Sequence, residues 1–334
     1  MKILITGAGG YIGSIATYLF LQRNFEVIAL DNFTTGFKKP LQILQDKFGK
    51  DKLRFYEIDL ADDLNPVLER ENNVAAVIHF ASLCLVDDSM KNPQKYFQNN
   101  VCGSQNLLTS MLKHNIKNIV FSSTCAVYGE VHEIPVDEDH LTNPTNPYGE
   151  SKKMVEEIIK WYGALVGLNY VILRYFNVCG ASSDGLIGDS KKPSPHLVQN
   201  TVRAALGIDN FLLTCPKVNT PDKTPIRDYI DVVDLANAHI KAVDYLIADG
   251  KSEIINLGTG KGNSVLEIIS AVQKATGIKF DIKKSSPREG EYSKIVASIN
   301  KANKILNWQP QKKLEDSIKS LITWYKKYPQ GWDN

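Results

Sequence analysis

A disulfide scaffold is the first thing this chain does not have. Its five cysteines, at positions 84, 102, 125, 179 and 215, are odd in number, and no two have Cys-x-x-Cys spacing. That pattern argues against a disulfide framework and a zinc site, and for reduced thiols in a cytoplasmic protein with no bound metal. A surplus of one charge is also missing: 39 Lys and Arg face 37 Asp and Glu, a net charge of +2. A protein held to nucleic acid by bulk phosphate attraction is usually far more basic, so nucleic acid is not an expected partner. No apolar run reaches the roughly 18 residues of a membrane span. The apolar stretch after Met1-Lys2 resembles a secretory signal only superficially, because Gly7, Gly9, Gly10 and Gly13 interrupt it. What remains is an ordinary globular composition, 43% hydrophobic and 23% charged over 334 residues, with room for two domains or one large one.

Strand and helix patterns alternate through the first half. Residues 2–6, 26–30, 53–58, 75–80, 118–121 and 169–173 read as short buried strands. Residues 11–23, 61–70, 94–114 and 147–166 read as helices. This alternation predicts an α/β fold, a doubly wound parallel sheet covered on both faces. The pattern loosens after 178: residues 178–230, rich in Gly, Pro, Ser and Asp, read as loop-dominated. Helices are expected near 232–248, 264–276 and 314–327, and a strand near 254–257. We divide the chain into a dinucleotide-binding domain, 1–177, and a smaller mixed α/β substrate lobe, 178–334, with some elements interleaved.

Gly7-Ala8-Gly9-Gly10-Tyr11-Ile12-Gly13 lies between the first strand and the first helix. Gly7 permits the tight turn, Gly10 lets backbone approach a pyrophosphate, and Gly13 lets the helix pack close to the sheet. The helix N-terminus offers free N–H groups to phosphate. Asp31 follows at the end of the second strand. A carboxylate there accepts from a ribose 2′-OH and repels a 2′-phosphate, which favours NAD over NADP. Asp59-Leu60 ends the third strand, placed for the adenine edge or, equally, for a helix cap.

Tyr148 and Lys152 are four apart on one helix face. Only about one free tyrosine in a thousand is ionised at neutral pH. A nearby ammonium and a positively charged nicotinamide both favour the phenolate. Lowering the pKa by about three units takes roughly 4 kcal/mol and yields a general base. Thr124, ending the fifth strand, is placed either to bond the same substrate hydroxyl or merely to cap the turn.

These residues resemble the extended short-chain dehydrogenase/reductase superfamily, and within it the UDP-glucose 4-epimerase family. The match runs through GAGGYIGS, Asp31-Asn32-Phe33, Val77-Ile78-His79-Phe80-Ala81, Asn99-Asn100-Val101, FSSTCAVYG, NPYGESK, LRYFN, TPIRDYI and PREGE, nearly the whole chain. The resemblance implies a Rossmann-type fold, NAD, a UDP-hexose and interconversion of UDP-galactose and UDP-glucose at C4. Tyr148 would take the C4 hydroxyl proton as the hydride leaves. Lys152 would hold the nicotinamide ribose and the phenolate, and Thr124 would orient the sugar. The flat 4-keto sugar would turn over and take the same hydride back. Carried over by position, Phe80, Ala81, Asn99 and Phe176, with Tyr11, Ile12, Asn32 and Leu60, contact the cofactor. Asn177, Leu197, Arg227, Arg288 and Glu291 surround the UDP-sugar. Without the resemblance, Arg227 and Arg288 would read as surface ion-pair partners. The helices near 94–114 and 147–166 match the pair used for a homodimer, or simply pack on the sheet.

Some positions depart from the family pattern. Cys84 stands where many members have lysine near the cofactor, Asp231 where they often have histidine, and Lys223 for a glycine. Glu291 replaces an Asp. The segment around Cys215 lacks the aromatic that stacks on uracil, and Ile295 replaces a tyrosine beside the hexose. Cys125 and Ala126 after Thr124 argue against a 4,6-dehydratase, which needs an acid and a base there. Ala126 argues against a UDP-glucuronate decarboxylase too. Epimerases of UDP-N-acetylglucosamine or UDP-glucuronate, and a non-catalytic NAD sensor, stay open as alternatives.

Overall fold

The computed structural model describes residues 1–285 and 292–332. Its frame is a seven-stranded parallel sheet built by strand–helix alternation. Strands β1 (Lys2–Thr6), β2 (Glu26–Asp31), β3 (Leu53–Glu57), β4 (Val74–His79), β5 (Asn118–Thr124) and β6 (Asn169–Tyr175) come in sequence. After β7 (Asn177–Cys179), β8 (Phe211–Leu213) and β9 (Ile226–Asp231) comes β10 (Glu253–Leu257), which returns to this sheet. The spatial order is β10-β6-β5-β4-β1-β2-β3. The order reverses between β1 and β4, and a crevice opens there at the C-terminal strand ends.

Side-chain alternation explains the two layers. Ile3 and Ile5 of β1 enter one apolar cluster and Leu4 the other; Val27 and Ala29 oppose Ile28 and Leu30 in the same way. One face is covered by α1 (Tyr11–Gln22), α2 (Lys38–Phe48) and α9 (Val232–Ile247). The other is covered by α3 (Asn65–Arg70), α6 (Gly103–Lys113) and α7 (Pro147–Val166). Helices α4 (Val86–Lys91) and α5 (Pro93–Tyr96) lead into α6 through a π-turn, Phe97–Cys102. The helix expected over 94–114 is there, from Pro93 to Lys113, with the π-helical stretch inside it.

Residues 178–230 carry more structure than their composition indicates. Besides β7, β8 and β9 they hold α8 (Leu197–Ala205). Its buried Gln199, Thr201 and Arg203 mask the apolar period. A second sheet joins β9 to β7, β11 (Gly262–Ser264) and β13 (Lys294–Ile295), while β8 pairs with β12 (Ile282–Lys284). Helices α10 (Val265–Thr276), α11 (Asn300–Leu306) and α12 (Leu314–Lys327) complete the chain.

Candidate active site

A cavity of about 720 Å³ follows the C-terminal edge of the large sheet. Every glycine, acid and apolar residue expected to hold the cofactor lines it: Gly7, Gly10, Tyr11, Ile12, Gly13, Asp31, Asn32, Asp59, Leu60, Phe80, Ala81, Asn99 and Phe176. So do Tyr148, Lys152, Thr124, Asn177 and Arg227. Leu197 is the exception. It opens α8 and is drawn into apolar packing against the cluster of Ala204, Phe211, Val265 and Ile269, and it is not on the cavity wall. Cys215 is also off the wall. Arg288 and Glu291 lie outside the described residues.

The glycine turn fits a dinucleotide on steric grounds. Gly7 has φ of +69°, and a Cβ there would lie 2.6 Å from the Ala81 nitrogen. A Cβ on Gly13 would lie 2.1 Å from the Gly7 carbonyl oxygen. Backbone, unlike a side chain, cannot yield, so only glycine closes this turn. Asp31 accepts from the Gly9 N–H at 2.8 Å and the Phe33 N–H at 2.7 Å. Each carboxylate oxygen keeps a second lone pair for a ribose diol. Burial pushes the Asp31 carboxyl up, and those two N–H groups oppose it. Asn32 donates to Asp59 at 2.5 Å, and Asp59 also accepts from the Ala61 N–H at 2.8 Å, so Asp59 both meets the cavity and caps its own turn.

Tyr148 is placed by an Asn-Pro helix start. The Asn146 side chain accepts from the Gly149 N–H at 2.9 Å, and Pro147 takes the first turn, where no N–H is needed. The Tyr148 phenol is buried and hydrogen-bonded to Thr124. Thr124 also accepts from the Ala126 N–H at 3.2 Å; it caps the turn and meets the phenol at once. The expected lowering of the Tyr148 pKa needs the positively charged ring beside it, and in the protein alone the shift runs upward. Burial holds the phenol well above its ordinary value, Tyr175 adds to this, and the Thr124 bond only opposes it. The Lys152 ammonium points to the Ser122 carbonyl oxygen at 2.8 Å and is itself pushed down to about 8 by burial.

The support behind this pair is polar and buried. Glu156, one turn beyond Lys152, takes Arg174 in a two-pronged bond with contacts of 2.6 to 3.2 Å and also accepts from Ser123. Asn100 donates to Ser151 at 2.9 Å and bonds Leu83 through both backbone groups, tying the loop after β4 to α7. His79 bridges Thr6 and Ser104 at 2.7 and 2.8 Å and is held neutral by burial, at about 3.

Sequence reasoning passed over Tyr175, Lys191, His196 and Tyr292, which also line the cavity. Tyr175 had a signal, its position at the C-terminal end of a parallel strand. Lys191 and His196 had none, because they reach the cavity from the long loop before α8. Cys84, found where a lysine was expected, receives the Lys191 ammonium at 3.9 Å.

A model of the NAD dependent epimerase/dehydratase family matches residues 3–258. The UDP-glucose 4-epimerase of Lactobacillus helveticus is 39% identical over all of both chains. That of Halalkalibacterium halodurans is 41% identical over 99% of this chain and 98% of its own. The crystal structure of UDP-glucose 4-epimerase from Bifidobacterium longum, in complex with NAD+ and UDP, is 36% identical. It superposes with a TM-score of 0.93 over 99% of this chain and 100% of that one.

Proposed function

The chain belongs to the NAD dependent epimerase/dehydratase family, and from that premise we propose how its cavity residues interconvert UDP-galactose and UDP-glucose. The cofactor is NAD. When bound, it supplies a positively charged ring that takes the C4 hydride and gives it back.

The observation carrying this reading is the Tyr148 phenol, buried and bonded to Thr124, in the same cavity as the glycine turn and Asp31. Tyr148 takes the proton from the C4 hydroxyl and later returns it. Thr124 fixes the direction of that hydroxyl. Lys152 spends one donor on the Ser122 carbonyl, which leaves two for the ribose hydroxyls beside the phenol. With Tyr148 raised by burial, an opposing positive charge must come from the ring and from a protonated Lys152. Asn177 and Arg227 face the sugar nucleotide, Arg227 through a planar fork suited to phosphate; Arg288 and Glu291 are assigned to the same group, whereas Leu197, off the wall, is not. The experiment is to give purified protein UDP-glucose, UDP-galactose and their N-acetylated counterparts and to identify products. Interconversion of the first pair is expected; no product from either sugar would overturn the reading. Ile295, buried on the cavity wall, favours a second reading in which an N-acetyl group at C2 is also accepted. No turnover of the acetylated pair would defeat it.

The same reading gives a homodimer in the cytoplasm. Met154, Trp161 and Leu165 form an exposed apolar stripe on α7, the kind of face a self-complementary contact covers. Five free cysteines suit a reducing compartment. No helix among the described residues is long and apolar enough to cross a membrane.

A further inference from the structure

The cavity wall carries as many carboxylates as full positive charges, and a dinucleotide would bring two more negative charges. Asp31, Asp59, Asp87 and Asp88 line it. Glycine-turn and helix N–H groups answer a pyrophosphate with partial charges only. Among the described residues, Lys91, Lys152, Lys191 and Arg227 bring the full positive charges to this wall. Lys152 is bound to the Ser122 carbonyl at the reacting end. Arg227 is also at that end, where its charge acts on Cys125 beside Thr124.

Lys191 lies between that end and the glycine turn. Its ammonium is 3.9 Å from the sulfur of Cys84, in the loop after β4. Its charge reaches Asp31, where it helps oppose the upward push of burial. It also reaches His196, whose ring packs on Tyr11 at the start of α1 with centroids 5.7 Å apart. Cys84 acts on Tyr148 and Lys152 at the reacting end, whereas Asp31 and the Tyr11–His196 pair lie at the glycine turn, so the ammonium stands between the two ends, over the stretch that a pyrophosphate spans.

The loop that carries Lys191 is fixed along its length. Tyr11 donates to the Gly180 carbonyl and Tyr18 to Asp184 at 2.7 Å. Asp189 accepts from the Lys191 N–H at 3.2 Å and the Ser194 hydroxyl at 2.6 Å. Trp324 donates to the Asp189 carbonyl at 3.1 Å. A held backbone presents the lysine with little ordering left to do on binding.

We infer that Lys191 is a cofactor-binding residue: its ammonium pairs with the dinucleotide pyrophosphate, and the loop 180–196 straps the cofactor into the cavity. The inference rests on NAD being the resident group. The test is the rate at which NAD leaves the purified holoenzyme, and the NAD retained per chain after desalting, at low and high salt. Lys191→Met is expected to speed loss by about 10- to 100-fold, the size of a charged hydrogen bond, and to flatten the salt dependence. Lys191→Arg should retain NAD nearly as the parent does. Lys192→Gln, at an exposed neighbour bonded to Gln330, should match the parent. Loss from Lys191→Met at the parental rate with the parental salt response overturns the inference while leaving NAD in place. A parent protein that holds no NAD overturns the cofactor reading itself.

Discussion

Replacing the Tyr148 hydroxyl separates binding from chemistry. Tyr148→Phe keeps the ring that fills the cavity, so NAD and UDP should bind nearly as before. Turnover should fall by about 10²- to 10⁴-fold, the range of a lost general base; steady-state kinetics with UDP titration checks both halves, and near-normal turnover would remove Tyr148 from its role. Lys152→Met should weaken NAD retention as well, because the ammonium tied to Ser122 lines the cavity and keeps two donors for the proposed ribose contact; unchanged NAD content would refute that. The residue types of this site were legible in the sequence because each has a spacing tied to a mechanism. Glycines follow a strand, an acid ends the next strand, and Tyr and Lys share a helix face. The electrostatics were not legible. Burial raises Tyr148, and burial is a property of the packed cavity that four-residue spacing does not encode. Lys191 stayed hidden for a similar reason, since only the folded loop brings it to Cys84.

At the level of elements, α7 and α9 are set by buried charges. Arg174 and Glu156 clamp α7 to β6 with side chains 5% and 1% exposed. Arg174→Met would leave the carboxylate buried without its partner, a loss of about 3–5 kcal/mol measurable by denaturant unfolding; a loss below about 1 kcal/mol would contradict the clamp. Asp231 caps α9 by accepting from the Val233 N–H at 2.8 Å, and also accepts from Ser317 at 2.6 Å. Burial pushes its carboxyl up to about 6 from 3.8. The folded state therefore binds this proton more tightly than the unfolded chain does. Stability from this group is greatest below about pH 4 and falls as pH rises toward about 6, a change of about 3 kcal/mol. Asp231→Asn keeps a capping oxygen and removes the charge. It should stabilise the protein at about pH 8 and not at about pH 4; equal effects at both would contradict this sign. Strands of the large sheet were legible because both faces are buried and their runs are continuous in apolar residues. The π-helical stretch at Phe97–Cys102 was not, because it keeps the composition of an ordinary helix. Helix α2 was missed although Leu41 and Leu44 share its buried face, since its lysines and glutamines dominate the segment.

For the whole molecule, closure of the site requires parts distant in sequence: the glycine turn near the N-terminus, Tyr148 and Lys152 on α7, Arg227 on β9 and the strap before α8. The assembly prediction is that Trp161→Glu with Leu165→Glu turns a dimer into a monomer by sedimentation velocity; an unchanged species would move the interface elsewhere. The most direct test of the central claim uses UDP-galactose deuterated at C4. If one hydride leaves the sugar and returns to its other face inside the closed cavity, the UDP-glucose formed carries the deuterium at C4. UDP-glucose with hydrogen at C4, exchanged from water, would contradict the account.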